Sequence, residues 1–196
     1  MKSIPIIEKI HNRLAYINIR TYHLPEEFGK MVLKDASVLL PLFFHEDELS
    51  IIFTERTDNV PTHKGQISFP GGSVDETDED FAAAAVRETF EEVGILPENI
   101  KILGQLSSYP TPAGFRIYPF AGYISQFSQN ISLCEVSKVL IIPLRHLADE
   151  KNMEIKNYSR GETEYPMPNF YYENHTIWGA TGMILKEFLD EIKDLL

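Results

Sequence analysis

The sequence predicts an α/β (α+β) fold with a mixed β-sheet, in one domain spanning residues 1–196. Three observations carry this. Ala36 to Phe44 is a continuous apolar run of buried-strand length, and Leu49 to Glu55 follows it after a short polar turn, so the pair reads as a hairpin. Further apolar strand-length runs fall at Ile100–Leu106, Arg116–Ile124 and Val139–Ile142, without the even spacing of repeated βαβ units. Two stretches have helical character: the alanine-rich segment after Asp78 and the closing segment from Ile177.

In chain order, residues 1–34 place Ile6, Ile7, Ile10 and Leu14, then Phe28, Met31 and Val32, at helical spacing on either side of Pro25. We read two short helices or one broken one, with Arg13 and Arg20 solvated. After the hairpin, Arg56 to Gly72 holds two prolines and three glycines and reads as irregular, with Ile67–Phe69 a short strand feeding Gly71 and Gly72. The helix that follows is given Thr77 or Asp78 as N-cap and Gly94 as its left-handed C-terminal residue. Ser107 to Gly114 is a Pro/Gly loop between strands, and Gln126–Asn130 is a turn. Residues 145–157 read as a short helix and a strand. Tyr158 to His175, rich in Tyr, Pro, Asn and Glu, receives no element, and its Phe170–Tyr172 aromatic stripe reads as packing. Ile177, Trp178, Ile184, Leu185, Phe188, Leu189 and Ile192 form the apolar face of a closing helix. No repeat or linker divides the chain.

Composition narrows the function. A net charge of −11 argues against nucleic-acid or anionic-membrane binding, both of which need a basic face. It also means that an anionic substrate needs a metal and a local basic cluster. The single cysteine, Cys134, precludes a disulfide within the chain and reads as an inert thiol. There is no run of the ~18 apolar residues that a membrane span requires and no signal-peptide pattern, so a cytoplasmic location is expected.

The chemistry concentrates in Gly71–Ile95. Glu88, Glu91 and Glu92 fall at i, i+3 and i+4, on one helix face with Cβ atoms about 5–6 Å apart. Arg87, one turn before Glu91, neutralises part of this charge, and a hard divalent cation taking carboxylate oxygens is the simplest remaining partner. Glu pairs on helices are ordinarily solvated surface. Their combination with the double glycine, the cap and Gly94 is far more specific.

This stretch resembles the Nudix box, G-x5-E-x7-R-E-U-x-E-E-x-G-U with U aliphatic. Arg87, Glu88, Glu91, Glu92, Gly94 and Ile95 match its second half. Thr89 stands where an aliphatic residue is usual, and the turn holds one extra residue. Counting from Arg87 makes Glu79 the early acid, whereas counting from Gly72 makes it Asp78. Directly before the box, Arg56, His63, Gly65, Gln66, Phe69, Pro70, Gly71 and Gly72 match R-S-x2-L-x2-H-x-G-Q-V-x-F-P-G-G without a gap. That extension is similar to one found in coenzyme A pyrophosphatases of the family.

The resemblance implies an α/β/α sandwich and a metal-dependent pyrophosphohydrolase using Mg²⁺ or Mn²⁺. Glu88, Glu91 and Glu92 would be metal ligands, with a carbonyl of Gly71 or Gly72 adding another. Glu91, Glu92 and Glu135 are candidates for the general base, and a plain surface role for Glu135 stands beside that reading. Arg87 would orient Glu91. Arg56, His63 and Lys64 would meet substrate phosphates, although an ordinary loop role for His63 is the commoner case for a lone histidine. The expected substrate is coenzyme A or a derivative, cleaved to phosphopantetheine and adenosine 3′,5′-bisphosphate. Another nucleoside diphosphate derivative such as ADP-ribose, and a non-catalytic binding module, are the competing readings. A homodimer is compatible with the sequence, which does not determine the oligomeric state.

Overall fold

The computed structural model describes residues 4–28, 31–56, 66–127, 136–160 and 163–196. The chain begins with α1 (Ile4–Leu14), whose Ile7, Ile10 and Leu14 are buried. The second expected helix is replaced, among the described residues, by a single 3₁₀ turn at Glu26–Phe28. The segment before it runs extended beside Ser108: the Tyr22 amide donates to the Ser108 carbonyl, and the Ser108 amide donates to that of Arg20. Those bonds tie Arg20–Tyr22 to the main sheet's loop, and Val32, expected on an apolar helix face, is 97% exposed. Arg13 also departs from the expectation of simple solvation, since it pairs with Asp194 at 2.9 Å and donates to the Glu191 carbonyl.

The hairpin forms as expected from β1 (Lys34–His45) and β2 (Glu48–Arg56). Its turn places Glu46 and Asp47 at positive φ, the twist that suits a two-residue connection. Next come β3 (Ile67–Ser68), β4 (Gly71–Ser73), α2 (Phe81–Val93), β5 (Ile100–Gln105), β6 (Tyr109–Pro110), β7 (Phe115–Ile124) and β8 (Val136–Pro143). The main path of the sheet is β3-β2-β1-β7-β5, with β4 on β1, β6 on β7 and β8 on β2. The β1–β7 pair is parallel and the other ladders are antiparallel, which is the mixed sheet that the sequence predicts.

The chain closes with α3 (Leu144–Ala148), β9 (Met153–Arg160), β10 (Thr163–Tyr172), β11 (His175–Ile177) and α4 (Gly179–Ile192). Period-two alternation sorts β1 onto two cores. Leu40 and Leu42 join Ile10, Leu14, Phe53, Phe188 and Leu189 on the α1/α4 face. Leu39 and Phe43 join Ile52, Ala85, Val93 and Phe120 under α2. Both faces are covered, and this is why β1 reads as an uninterrupted apolar run. The result is the α/β/α arrangement, and each fully buried Leu, Ile or Phe stabilises it by about 1.5–3 kcal/mol.

The segment from Tyr158 to His175, which receives no element from the sequence, contributes to a second sheet of order β11-β10-β9. Pro166 and Pro168 mask the strand pattern. They are tolerated because β11 pairs only with Phe170–Tyr172, leaving that edge of β10 open at both prolines. Ile177 belongs to β11, and α4 starts two residues later.

Candidate active site

The box helix α2 is fastened at both ends. Its N-cap is Asp80, whose carboxylate accepts from the Ala83 amide at 2.7 Å, and not Thr77 or Asp78. Asp78 is engaged elsewhere, taking the Asp75 amide at 2.8 Å and the Arg87 guanidinium. At the other end Gly94 takes φ 76°, and its amide bonds back to the Phe90 carbonyl at 2.9 Å, as predicted. Thr89, the departure from the aliphatic pattern, is fully buried, and its hydroxyl donates to the Ala85 carbonyl at 2.7 Å. That bond satisfies the polar atom and explains why threonine is accommodated there. The Ser37 hydroxyl lies 2.6 Å from the Phe81 carbonyl and 3.0 Å from that of Tyr118, so the start of α2 is held against β1 and β7.

Arg87 is the centre of the acid face. Nε is 2.9 Å from Asp78 Oδ1, and Nη2 is 3.0 Å from Asp78 Oδ2 and 3.0 Å from the Ser73 carbonyl. Nη1 reaches Glu88 at 2.9 Å and Glu91 at 3.3 Å. Its expected pairing with Glu91 is therefore the longest of these contacts. Asp78, with a side chain 5% exposed, is the early acid that meets Arg87, while Glu79 points to solvent. Hydrogen bonding from Arg87 holds the Asp78 carboxyl below its ordinary range, and the same bond raises Arg87. The acid face thus has a protein counterion, but one guanidinium faces Asp75, Asp78, Glu88 and Glu91 together.

Gly71 and Gly72 fit this face to β1. The Gly71 amide donates to Glu92 at 3.2 Å, and Glu92 is only 5% exposed. A Cβ on Gly71 would stand 2.3 Å from the Ser37 carbonyl oxygen, at φ 153°. A Cβ on Gly72 would stand 2.5 Å from the Glu88 carboxylate. Both glycines therefore allow backbone and carboxylate to approach where any side chain would intrude. Upstream, Phe69 stacks on Phe53 with ring centres 4.8 Å apart, and the Pro70 carbonyl accepts from the Leu39 amide.

Arg56 ends β2 and pairs in register with Val136, the first residue of β8. The strand end that leads into the motif-bearing stretch therefore adjoins the position following Glu135. His63, Lys64, Glu135 and Cys134 lie outside the described residues.

The NUDIX domain family model matches residues 33–160, more than half of the chain. The chain belongs to the Nudix family. It is similar to the uncharacterized Nudix hydrolase NudL of Escherichia fergusonii, 33% identical over 163 residues, covering 81% of this chain and 83% of the relative. The NudL protein of Photorhabdus laumondii is 29% identical over 161 residues, covering 82% and 86%. The crystal structure of a MutT/nudix family protein from Enterococcus faecalis shares the fold, with TM-score 0.54 and 16% identity over 95% of this chain and 69% of that one.

As a Nudix hydrolase, the protein is an enzyme of phosphoric anhydride bonds that acts on a nucleoside diphosphate derivative. Nudix hydrolases generally use divalent metal ions. The donor set around Gly71–Gly72 suits such an ion chemically, because Glu88, Glu91 and Glu92 offer only hard carboxylate oxygen. The missing Cβ of Gly72 lets the Glu88 carboxylate lie against the backbone of this stretch. The acids are splayed, with Glu88 and Glu91 on Arg87 and Glu92 on Gly71. Among the described residues no three acidic, histidine or cysteine side chains converge as a metal cluster. No helix among them is long and apolar enough to cross a membrane.

The Asp78–Arg87 anchor, the Asp80 cap and the Ser73 acceptor are the parts that sequence reasoning left open or missed. The spacing Asp75-x-x-Asp78 was the available signal, since a short acidic side chain bonding a nearby amide is a common turn device.

Proposed function

We propose that this Nudix hydrolase cleaves the diphosphate of coenzyme A or one of its derivatives, releasing phosphopantetheine and adenosine 3′,5′-bisphosphate. The ungapped match from Arg56 to Gly72 carries this reading. It is supported by the way β3, Phe69 and Pro70 fasten the end of that stretch to β2 and β1, next to the acid face.

Glu88, Glu91 and Glu92, with a carbonyl of Gly71 or Gly72, would hold Mg²⁺ or Mn²⁺. Such an ion neutralises diphosphate oxygens and lowers the pKa of a bound water. The chain's own groups do the rest. Arg87, locked by Asp78, keeps Glu88 and Glu91 on one side of α2 and offsets part of their repulsion. Glu91, Glu92 or Glu135 accepts the proton that water loses as its oxygen attacks phosphorus and the bridging P–O bond breaks. Arg56, His63 and Lys64 supply cations to a phosphate-rich substrate, against the field of a protein with net charge −11. That net charge also favours a small nucleotide over a nucleic acid as ligand. A cytoplasmic setting, with its coenzyme A derivatives, suits the same reading.

The test is a substrate panel with Mg²⁺ and with Mn²⁺, read by product mass. Coenzyme A is expected to exceed ADP-ribose and nucleoside triphosphates in kcat/KM. Arg56→Ala is expected to weaken turnover of coenzyme A more than that of dephospho-coenzyme A, because the former carries the additional 3′-phosphate. A clear preference for ADP-ribose would overturn the substrate assignment.

A further inference from the structure

Among the described residues, the second sheet makes a polar contact with the strand end that bears Arg56. His175, the first residue of β11, places Nε2 3.7 Å from Glu55 Oε2, with side chains 16% and 27% exposed. Its Nδ1 is buried and has no hydrogen-bond partner among the described residues. An unsatisfied buried polar atom costs about 1–3 kcal/mol, a cost that an apolar residue packed on the core would avoid. Histidine at this position therefore calls for a role at its other nitrogen, where Glu55 stands.

Glu55 is itself held from several sides. It pairs with Ile67 across the β2–β3 ladder, and its carbonyl accepts from the Ser137 hydroxyl at 3.0 Å. The β2–β8 register shifts between Glu55 and Arg56. Such irregularities occur beside active sites. β11 also packs against β3, so the same neighbourhood is contacted by backbone and side chain alike.

We propose that His175 is a positioning residue for substrate binding: through Glu55 it fixes the irregular end of β2 from which Arg56 departs. The inference rests on the reading that Arg56 meets substrate phosphate. It adds a function for the second sheet, which the acid face does not otherwise require. His175 does not touch the reacting atoms in this account, so its effect falls on substrate affinity and leaves the chemical step intact.

Steady-state kinetics of the full chain separate this from a purely structural role. With saturating metal and the best substrate of the panel, His175→Leu is expected to raise KM about tenfold with kcat within about twofold, the pattern of lost uniform binding. His175→Gln, which can still donate towards Glu55, is expected to recover most of that loss. Glu55→Gln is expected to raise KM similarly, and His175→Leu combined with Arg56→Ala is expected to cost no more than Arg56→Ala alone, because the two act through one contact. A lower Tm for His175→Leu with unchanged KM overturns the proposal, as does an additive double variant. Should His175→Leu fail to fold, the Glu55→Gln KM decides. If ADP-ribose proves the preferred substrate, the coenzyme A assignment fails, while the KM shift measured on ADP-ribose still tests His175.

Discussion

Asp78 and Arg87 meet in a two-point ion pair, with Nε and Nη2 of the guanidinium 2.9 and 3.0 Å from the two carboxylate oxygens. This pair joins the acidic turn to the helix and sets where Arg87 meets Glu88 and Glu91. Two parallel charge-assisted bonds give geometry as well as energy.

Asp78→Asn is expected to lower stability by about 1–3 kcal/mol, because it removes the charge facing a half-buried guanidinium. Glu79→Gln, at an exposed site, is expected to stay within about 0.5 kcal/mol. The pH dependence follows from the direction of the Asp78 shift. Its folded-state pKa lies below the ordinary 3.8, so the unfolded chain takes up the proton first as pH falls. The contribution is present above the ordinary value and disappears as pH drops through the folded one. Thermal unfolding from pH 5 downward should therefore fall less steeply in Asp78→Asn than in the wild type, and equal slopes would count against this pairing.

The two glycines predict separable defects. Gly72→Ala drives a methyl into the Glu88 carboxylate, 2.5 Å away, and a displacement of about 1 Å at such a group costs on the order of 10²-fold in rate. Gly71→Ala meets the backbone of β1 and is strained at its φ, so a stability loss of about 1–3 kcal/mol is expected. Kinetics and chemical denaturation on both variants check the distinction. A Gly72→Ala enzyme with wild-type kcat would show that the position of Glu88 is immaterial.

If Glu88, Glu91 and Glu92 hold the ion, as the proposed function has it, divalent metal is needed for activity and adds to folded-state stability. Excess chelator should abolish turnover, and Glu92→Gln should lower kcat by about 10³-fold. Metal that binds only the folded chain raises its stability by about 2.7 kcal/mol at 100 times Kd. A rise in Tm with Mg²⁺, diminished in Glu88→Gln, is the expected calorimetric result. Equal Tm values with and without the ion in the wild type would remove these acids as ligands.

The hairpin and the box helix with its Gly94 terminus were legible in the sequence, and the sandwich with two covered faces was implied by the family resemblance. The hairpin and the helix rest on local signals: continuous or periodic apolar residues, Ala-rich propensity and a left-handed glycine. Of the second sheet, β9 was legible within the short helix and strand expected over residues 145–157; β10 and β11 were not, because Pro166 and Pro168 interrupt the strand pattern until the open edge of β10 is known. In place of the helix expected around Phe28–Val32, the described residues form only the 3₁₀ turn Glu26–Phe28.

By itself the sequence determined that Arg87, Glu88, Glu91 and Glu92 share a helix behind two glycines, because spacing along a helix fixes which side chains are neighbours. Only the tertiary structure decided that Asp78, and not Glu79, takes Arg87, that Glu92 turns to the Gly71 amide, and that His175 reaches Glu55. Those choices depend on distances between segments far apart in the chain, and on which carboxylate can reach a donor without leaving another buried group unmatched.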